Sequence, residues 1–377
     1  MKAIARLGGA VVAEAESDGN DAIVLAIPDP QLWHPDHPTL YDLELELREA
    51  EEVSDRVASY FALRKFGKQQ DVNGFWRFTI NDEPLFLYGP LDQGYWPEGL
   101  YTPPSYKAMR YDLEYTKAIG CNMVRKHVKV EPLPWYRMCD ELGLIVWQDM
   151  PNGGKANSDA RAVFTIFSDL HRKDRSRLGR FGRQEAANQE EFTAELQQLM
   201  QLLYNVPSLA VWVPFNEGWG QFEASEADAL MRSMDPTRLV DHASGWNDQG
   251  VGDFQSRHVY FRPVPARKPD QRIQALTEFG GYSLVTPGHV WDPDKKFGYK
   301  ILESSEALTE AHLTLLEREI APLIAKGLAC AIYTQTTDVE SEVNGYLTYD
   351  RRVEKMDRER ITAAHHKLIG DSGKALP

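Results

Sequence analysis

From about residue 85 onward, short apolar runs alternate with amphipathic helical stretches, and this alternation restricts the possible folds more than any other feature. Alternating strands and helices form βαβ units, whose strands are parallel. We predict eight strands, at Leu85–Tyr88, Met123–His127, Leu144–Gln148, Leu209–Phe215, Leu239–His242, His258–Tyr260, Ile273–Thr277 and Leu328–Thr334. Eight such units in roughly 300 residues suit a closed (β/α)8 barrel.

An open, doubly wound parallel sheet fits the same alternation. Its nucleotide-binding form carries a glycine-rich GxGxxG or phosphate-loop motif, and the chain contains neither. Two predicted helices are well marked. Ser105–Ile119 begins with an N-cap serine, and Ala186–Tyr204 places Phe192, Leu196, Leu199, Met200 and Leu203 on one face. We therefore predict the α/β class and a (β/α)8 TIM barrel.

The residues before the barrel have an all-β pattern. Strand-like runs occur at Ala10–Ala13, Ala22–Ile27, Leu43–Arg48 and Arg56–Phe61, with turn-forming residues between them. A complete β-sandwich of this type needs about 100 residues, so this segment is only part of one. We predict a partial β-sandwich over residues 1–72 and a catalytic barrel over residues 73–377.

Charge and cysteine content restrict the partners. The chain has 42 Lys and Arg against 56 Asp and Glu, a net charge of -14, which argues against nucleic acid or an anionic membrane as the main partner. Its three cysteines are widely spaced without a CxxC motif, which suits a reducing compartment and offers no metal site. We expect a cytoplasmic protein without cofactor or metal, unless truncation has removed an export signal.

Functional residues of a parallel barrel lie at the carboxyl ends of its strands. The predicted strand ends supply Asp92, Arg125, His127, Asp149, Asn216, Glu217, His242, His258, Tyr260, Glu278, Gln335, Asp338 and Glu340. Each of them taken singly also has a structural explanation, such as an ion pair or a helix cap. So many polar groups at one barrel mouth nevertheless favour a binding site.

Glu217 and Glu278 stand out because each follows an apolar strand, on the fourth and seventh strands of the predicted barrel. Strands 4 and 7 lie on opposite sides, so these carboxyl groups can face each other across the mouth. One carboxylic acid and one carboxylate are what a glycosidase needs. We predict Glu217 and Glu278 as catalytic residues that act on a carbohydrate.

The remaining candidates are assigned to substrate binding. Arg125 and Tyr260 are available to orient Glu278, and Asn216 could donate to a sugar hydroxyl. Aromatic rings give apolar contacts to sugar rings. The predicted substrate-binding residues are Asn216, Arg125, Tyr260, His258, Trp219, Asp92, Asp149, Trp291, Tyr333 and Gln335.

Several motifs resemble those of glycoside hydrolase family 2, the β-galactosidases, β-glucuronidases and β-mannosidases. They are Pro214–Trp219, Leu276–Gly281, Asn122–His127 and the Trp33-His34-Pro35 and Pro38–Tyr41 segments. The resemblance implies a retaining, exo-acting β-glycosidase with Glu217 as acid/base and Glu278 as nucleophile. It further implies that Tyr260 donates a hydrogen bond to Glu278. It also implies an immunoglobulin-like domain at residues 1–72 and a chain that lacks the family's N-terminal jelly-roll domain.

Three functions remain open from the sequence. The first is a retaining β-glycosidase of β-galactosidase-like specificity; the uronate-reading Asn-x-Lys triplet of β-glucuronidases is absent. The others are an inactive or non-catalytic carbohydrate-binding fragment and an endo-acting β-glycanase. An incomplete sandwich leaves strand edges that invite pairing, so we also expect a homo-oligomer.

Overall fold

The fold was analysed in a computed structural model that describes residues 1–18, 21–49, 52–154, 173–174, 182–260 and 262–374. The first part is a four-stranded antiparallel sheet in the order β2-β1-β3-β4. Its strands are β1 (Lys2–Leu7), β2 (Ala10–Glu16), β3 (Tyr41–Glu49) and β4 (Glu52–Phe61). A three-stranded antiparallel sheet follows, made of β5 (Phe66–Gln70), β6 (Trp76–Ile80) and β7 (Glu83–Pro84).

The second part is the predicted (β/α)8 barrel. Its parallel strands, in the spatial order β12-β11-β10-β9-β8-β17-β14-β13, are β8 (Leu87–Asp92), β9 (Met123–Lys126), β10 (Ile145–Asp149), β11 (Leu209–Val213), β12 (Leu239–Val240), β13 (Phe254–Val259), β14 (Ile273–Phe279) and β17 (Leu328–Tyr333). Each of the eight predicted strands overlaps one of these strands, although several bounds differ. A small parallel pair, β15 (Tyr282–Leu284) and β16 (Lys300–Leu302), lies beside the mouth.

Helices connect the strands. They are α1 (Tyr106–Ala118), α2 (Leu133–Leu142), α3 (Ala186–Leu203), α4 (Ala224–Met234), α5 (Ser305–Leu315), a π-helical turn (Leu316–Ile320), α6 (Ala321–Ile324) and α7 (Arg358–Lys374). α1 begins as predicted, because the side chain of Ser105 accepts a hydrogen bond from the backbone of Ala108. The predicted apolar face of α3 is also confirmed, since all five of its residues are buried.

The barrel closes between its shortest strand, β12, and β13. Asp253 makes this junction: its backbone N–H donates to the Val240 carbonyl at 2.8 Å, and its carboxylate accepts from the Val240 N–H at 3.0 Å. The backbone and the carboxylate of Asp253 therefore connect β12 with β13, where regular strand pairing is missing, and so complete the ring that positions the strand ends.

The amino end of the barrel is covered by the β5–β6 hairpin. Phe78 and Ile80 are fully buried and pack in one cluster with barrel-interior residues such as Trp147. Arg77 fixes the hairpin, because its guanidinium donates to the carbonyls of Leu328 and Ile324 at 2.8 and 2.9 Å. The predicted domain boundary at residues 72 and 73 falls in the turn of this hairpin.

Two predicted strand positions are corrected, one in the amino-terminal part and one in the barrel. Residues 22–27 form no strand, because their apolar run has no neighbouring strand to pair with, and β1 pairs with β2 and β3 instead. In the barrel, β13 begins at Phe254, four residues before the predicted start. Residues 255–257 are polar yet buried in the barrel, so low hydropathy made this part of the strand hard to predict.

Candidate active site

Glu217 lies just beyond β11, held by its backbone. Its N–H donates to the carbonyl of Ser244 at 2.9 Å, and the Trp246 indole donates to the Glu217 carbonyl at 2.9 Å. Its φ is 55°, in the left-handed region that residues with a Cβ seldom adopt. Such conformations persist where the surroundings fix them, and they concentrate at functional sites.

Glu278 lies near the end of β14 with little exposure to solvent. Arg125 donates from Nη1 to its Oε1 at 3.2 Å, and the Tyr260 hydroxyl donates to its Oε2. Each carboxylate oxygen thus has its own donor, which fixes the plane of the group. Sequence analysis predicted both partners correctly.

The two glutamates converge as their strand positions predict. One side-chain oxygen of Glu217 and one of Glu278 lie within 4.8 Å of each other. His258 is wedged between them, with Nδ1 at 2.8 Å from Glu217 Oε1 and Nε2 at 3.6 Å from Glu278 Oε1. Two carboxyl groups and one imidazole therefore form the centre of the site.

Hydrogen bonds around His258 determine where its proton lies. Ser244 donates to Thr277 at 2.9 Å and is 3.1 Å from His258 Nε2. Because the Ser244 proton is already used, Nε2 carries the donor proton toward Ser244. Burial lowers the pKa of His258 to about 3, so the ring is neutral, and Nδ1 is an acceptor that faces Glu217.

This arrangement suits a protonated Glu217. Burial raises the pKa of Glu217, and the positive charges of His127 and Arg125 only partly oppose that shift. A protonated Glu217 donates to the Nδ1 lone pair of His258. The surroundings of the two glutamates therefore differ, since Glu278 faces two donors and Glu217 faces an acceptor.

Arg125 connects the strand ends beneath the centre. Its guanidinium donates to both carboxylate oxygens of Asp149, at 3.0 and 2.9 Å, and to Oδ1 of Asn216 at 2.9 Å. Burial raises the pKa of Asp149, but the charge of Arg125 and the bond from His127 outweigh burial and lower it. Arg125 and Asp149 are fully buried, so they position Glu278 and Asn216. This corrects the expectation that they contact substrate directly.

Other predicted sugar contacts are also buried. Tyr333 has no exposed surface and packs against Phe279 and His312 in the core. Asp92 is held by Lys126 at 2.7 Å. Tyr333 supports the core, which corrects its assignment to substrate binding, whereas the assignment of Asp92 stays a prediction.

His258 and Gln335 are likewise corrected. The His258 side chain has no exposed surface, so it acts on Glu217 rather than on a sugar. Gln335 is 1% exposed; it accepts from Gln93 at 2.8 Å and donates to Asn344 and Glu342 at 2.9 Å. Gln335 therefore positions the side chains of Glu342 and Asn344.

Exposed aromatic rings remain at the mouth. Trp219, two residues after Glu217, is 45% exposed, and Trp291 is 44% exposed with its ring edge-on to Tyr349. Tyr260 is half-buried and stacks on Tyr299, with ring centroids 3.9 Å apart. These rings form apolar walls of the kind that sugar faces require.

Sequence analysis missed Tyr299, because it precedes β16 far from any barrel strand end. Burial raises its pKa, and so do the charges of Glu278, Glu217 and Glu342. Tyr299 therefore lies among three carboxyl groups. Glu342, in the connection after β17, was missed for the same reason.

Glu217, His258 and Glu278 also have the donor spacing of a metal site. Their donors, however, already bond within the protein: Glu278 accepts from Arg125 and Tyr260, and Glu217 contacts His258. The arrangement suits acid–base and nucleophilic chemistry without a metal.

Comparison with known families agrees with this geometry. Residues 5–64 match the model described as "Glycosyl hydrolases family 2", and residues 99–271 match "Glycosyl hydrolases family 2, TIM barrel domain". The chain belongs to glycosyl hydrolase family 2. The resemblance found in the sequence motifs is thereby confirmed.

Curated relatives in family 2 carry two kinds of name. A provisionally named β-glucuronidase of Formosa agariphila is 33% identical over 289 residues, which is 69% of this chain and 31% of that protein. A β-galactosidase of Leuconostoc mesenteroides is 26% identical over 282 residues, 73% of this chain and 24% of that protein. The chain thus spans less than a third of these relatives' lengths.

Solved structures share the fold. An FMN-binding β-glucuronidase from Facaelibacterium prausnitzii aligns with a TM-score of 0.69 at 19% identity, covering 96% of this chain and 56% of that one. A provisionally named β-galactosidase from Bacteroides fragilis aligns with a TM-score of 0.69 at 17% identity, covering 97% of this chain and 55% of that one.

Two further properties concern the surroundings of the protein. Cys121, Cys139 and Cys330 are buried free thiols. None of the helices in the described ranges combines the length and apolarity that a bilayer crossing requires.

Proposed function

We propose that this family 2 barrel is a retaining β-glycosidase that hydrolyses terminal β-linked sugars by double displacement. The observation that carries the proposal is the separation of Glu217 and Glu278, whose side-chain oxygens lie within 4.8 Å. Retaining enzymes hold their two carboxyl groups about 5–5.5 Å apart, whereas inverting enzymes need about 6.5–9.5 Å to admit a water between them.

In the first step, Glu278 attacks the anomeric carbon while Glu217 protonates the departing glycosidic oxygen. Arg125 and Tyr260 hold the attacking carboxylate in place, which reduces the entropy lost on reaching the transition state. Glu217 suits the acid role because burial raises its pKa, as the acid of such a pair requires.

In the second step, Glu217 is a carboxylate and takes a proton from water, which attacks the anomeric carbon and releases Glu278. The two inversions leave the β configuration unchanged. His258 accepts from the protonated acid at Nδ1; in the other neutral tautomer, with the proton on Nδ1 and the Nε2 proton given up, it donates to the base.

For the sugar, we propose a β-galactoside-like substrate. The names of the relatives are divided between β-galactosidase and β-glucuronidase. We also propose a cytoplasmic location, which the three buried free thiols favour.

The test is hydrolysis of nitrophenyl β-galactoside, β-glucoside, β-mannoside and β-glucuronide. We expect turnover of at least one, and a loss of about 10³-fold or more in Glu278→Gln, since removal of a nucleophile abolishes the covalent step. Glu303→Gln changes an exposed carboxyl outside the site and should retain wild-type rates.

No turnover of any substrate, or an unchanged rate in Glu278→Gln, would refute the proposal. The first result would favour a non-catalytic carbohydrate-binding protein. Release of internal oligosaccharides from a β-glycan, instead of single sugars, would indicate an endo-acting enzyme.

A further inference from the structure

Glu342 is a third carboxyl group at the mouth, in the connection that follows β17. Its main chain forms a parallel bridge with Phe297, and its side chain accepts a hydrogen bond from Gln335 at 2.9 Å. Gln335 is itself fixed by Gln93, which donates to it at 2.8 Å. The carboxyl group of Glu342 is therefore held in place, while its side chain stays partly exposed.

Contacts connect Glu342 with the catalytic centre. Phe297 packs edge-on against Tyr299, Tyr299 stacks on Tyr260, and Tyr260 donates to Glu278. Burial raises the pKa of Glu342, and the negative charge of Glu278 raises it further. Glu342 and Glu278 are therefore connected through the rings of Phe297, Tyr299 and Tyr260.

The cations near Glu278 and Glu342 are already paired with acidic groups. Arg125 is the fixed cation of the centre, and it already pairs with Asp149 and Glu278. His127 likewise contacts Asp149. In its carboxylate form, Glu342 therefore adds negative charge to surroundings whose described cations already have acidic partners.

We propose that Glu342 is a specificity-determining residue that admits neutral β-hexosides and excludes β-hexuronides. This inference rests on the proposed glycosidase function. A carboxylate accepts hydrogen bonds from the hydroxyl groups of a neutral sugar, whereas a second carboxylate brought into the same poorly solvated pocket is repelled. Structural relatives described as β-glucuronidase and β-galacturonidase act on the excluded class.

The test compares nitrophenyl β-galactoside with nitrophenyl β-galacturonide, which differ only at C6. We expect the wild-type protein to have a kcat/KM at least about 100-fold higher for the galactoside. Glu342→Gln should lower this ratio at least about tenfold, and Glu342→Lys should lower it further. Because both substrates are measured on one preparation, the ratio does not depend on the fraction of folded protein.

The control is Glu52→Gln, which makes the same charge change at an exposed position in β4 of the amino-terminal sheet and should leave the ratio unchanged. Equal turnover of both substrates by the wild-type protein overturns the role of Glu342. The same holds if the ratio is identical in the wild-type protein, Glu342→Gln and Glu342→Lys. In both cases the glycosidase function stands. Absence of turnover on every glycoside overturns the glycosidase function itself, and the inference with it.

Discussion

At the scale of single residues, the contrast between Glu217 and Glu278 defines the chemistry. Glu278 receives a donor on each oxygen, and Glu217 faces the lone pair of a neutral histidine. Two residues of the same type are thereby prepared for opposite tasks, as environments that separate the pKa values of paired carboxyls generally do.

Tyr260 gives the most direct test of how Glu278 is oriented. A hydrogen bond to a charged group contributes about 1.5–3 kcal/mol, so Tyr260→Phe should lower kcat by about 10- to 150-fold if that bond persists in the transition state. Steady-state kinetics measure this loss. Tyr106→Phe, at an exposed ring on α1, should leave kcat unchanged, and an equally unchanged kcat in Tyr260→Phe would contradict the orienting role.

Glu217 should make stability depend on pH. Since burial raises its pKa in the folded protein, the folded state binds this proton more tightly than the unfolded chain, and stability falls as pH rises through the folded-state pKa. Glu217→Gln should therefore raise the melting temperature at pH 7, and the gain should shrink near pH 4, about the unfolded value.

Calorimetry at the two pH values checks this prediction. The exposed control Glu303→Gln should show no such gain at pH 7. A Glu217→Gln protein that melts at the wild-type temperature at pH 7, or below it, would contradict the buried-acid description.

The convergence of Glu217 and Glu278 could be predicted because each lies near the carboxyl end of a mostly apolar barrel strand, where strand position determines which way the side chain faces. The same approach could not separate Trp219, whose ring is exposed, from Tyr333, whose ring is buried. Both are aromatic residues near strand ends. Only packing distinguishes a sugar-facing ring from a core ring.

At the scale of elements, strands were predictable where their residues are apolar. β11 coincides with a continuous apolar run, whereas β13 contains buried polar residues at 255–257 and was predicted to be shorter. The run at residues 22–27 is apolar but lacks a partner. Strand formation needs a neighbour for its hydrogen bonds, and local hydropathy does not report that neighbour.

Helix α3 provides a stability test at this scale. Leu196 is 1% exposed and belongs to the core cluster between α3 and the barrel. Leu196→Ala should lower the free energy of unfolding by about 2–5 kcal/mol through lost burial and a cavity. Gln198→Ala, on the exposed face of the same helix, should change it by less than about 0.5 kcal/mol.

Denaturant titrations followed by circular dichroism measure both variants. A loss below about 1 kcal/mol in Leu196→Ala would mean that this face of α3 is not packed as described.

At the scale of the whole molecule, the amino-terminal sheet is fixed to the barrel through Asp140. Its carboxylate accepts from Tyr60 at 2.8 Å and from the Ser208 N–H at 2.7 Å, and its carbonyl accepts from the Trp33 indole at 2.8 Å. Burial raises the pKa of Asp140 to about 6. Asp140 thus connects the amino-terminal sheet, the segment between β2 and β3, and the barrel.

The far part of that sheet is open. In the described ranges, β2 and β4 are its edge strands, and the first eight residues of β4 are exposed. Leu47, Val53 and Val57 are between 42% and 51% exposed. Exposed strand edges with apolar side chains pair readily with another sheet.

We therefore predict self-association through this sheet. Sedimentation velocity at micromolar concentration should reveal a species heavier than 42.9 kDa, and Val57→Lys should shift it toward the monomer, since edge lysines oppose strand pairing. Val72→Lys, which charges an exposed turn outside the sheet, is the control. A wild-type protein that sediments as a monomer would exclude this interface.

The central claim is that Glu278 forms a covalent bond to the sugar. An activated 2-deoxy-2-fluoro-β-glycoside slows hydrolysis of that intermediate, so that mass spectrometry of the digested protein can locate it. We predict one sugar per chain, attached to the peptide that contains Glu278, and no labelling of Glu278→Gln. A sugar attached elsewhere, or turnover of the parent glycoside with no adduct and an α-configured first product, would contradict double displacement at this site.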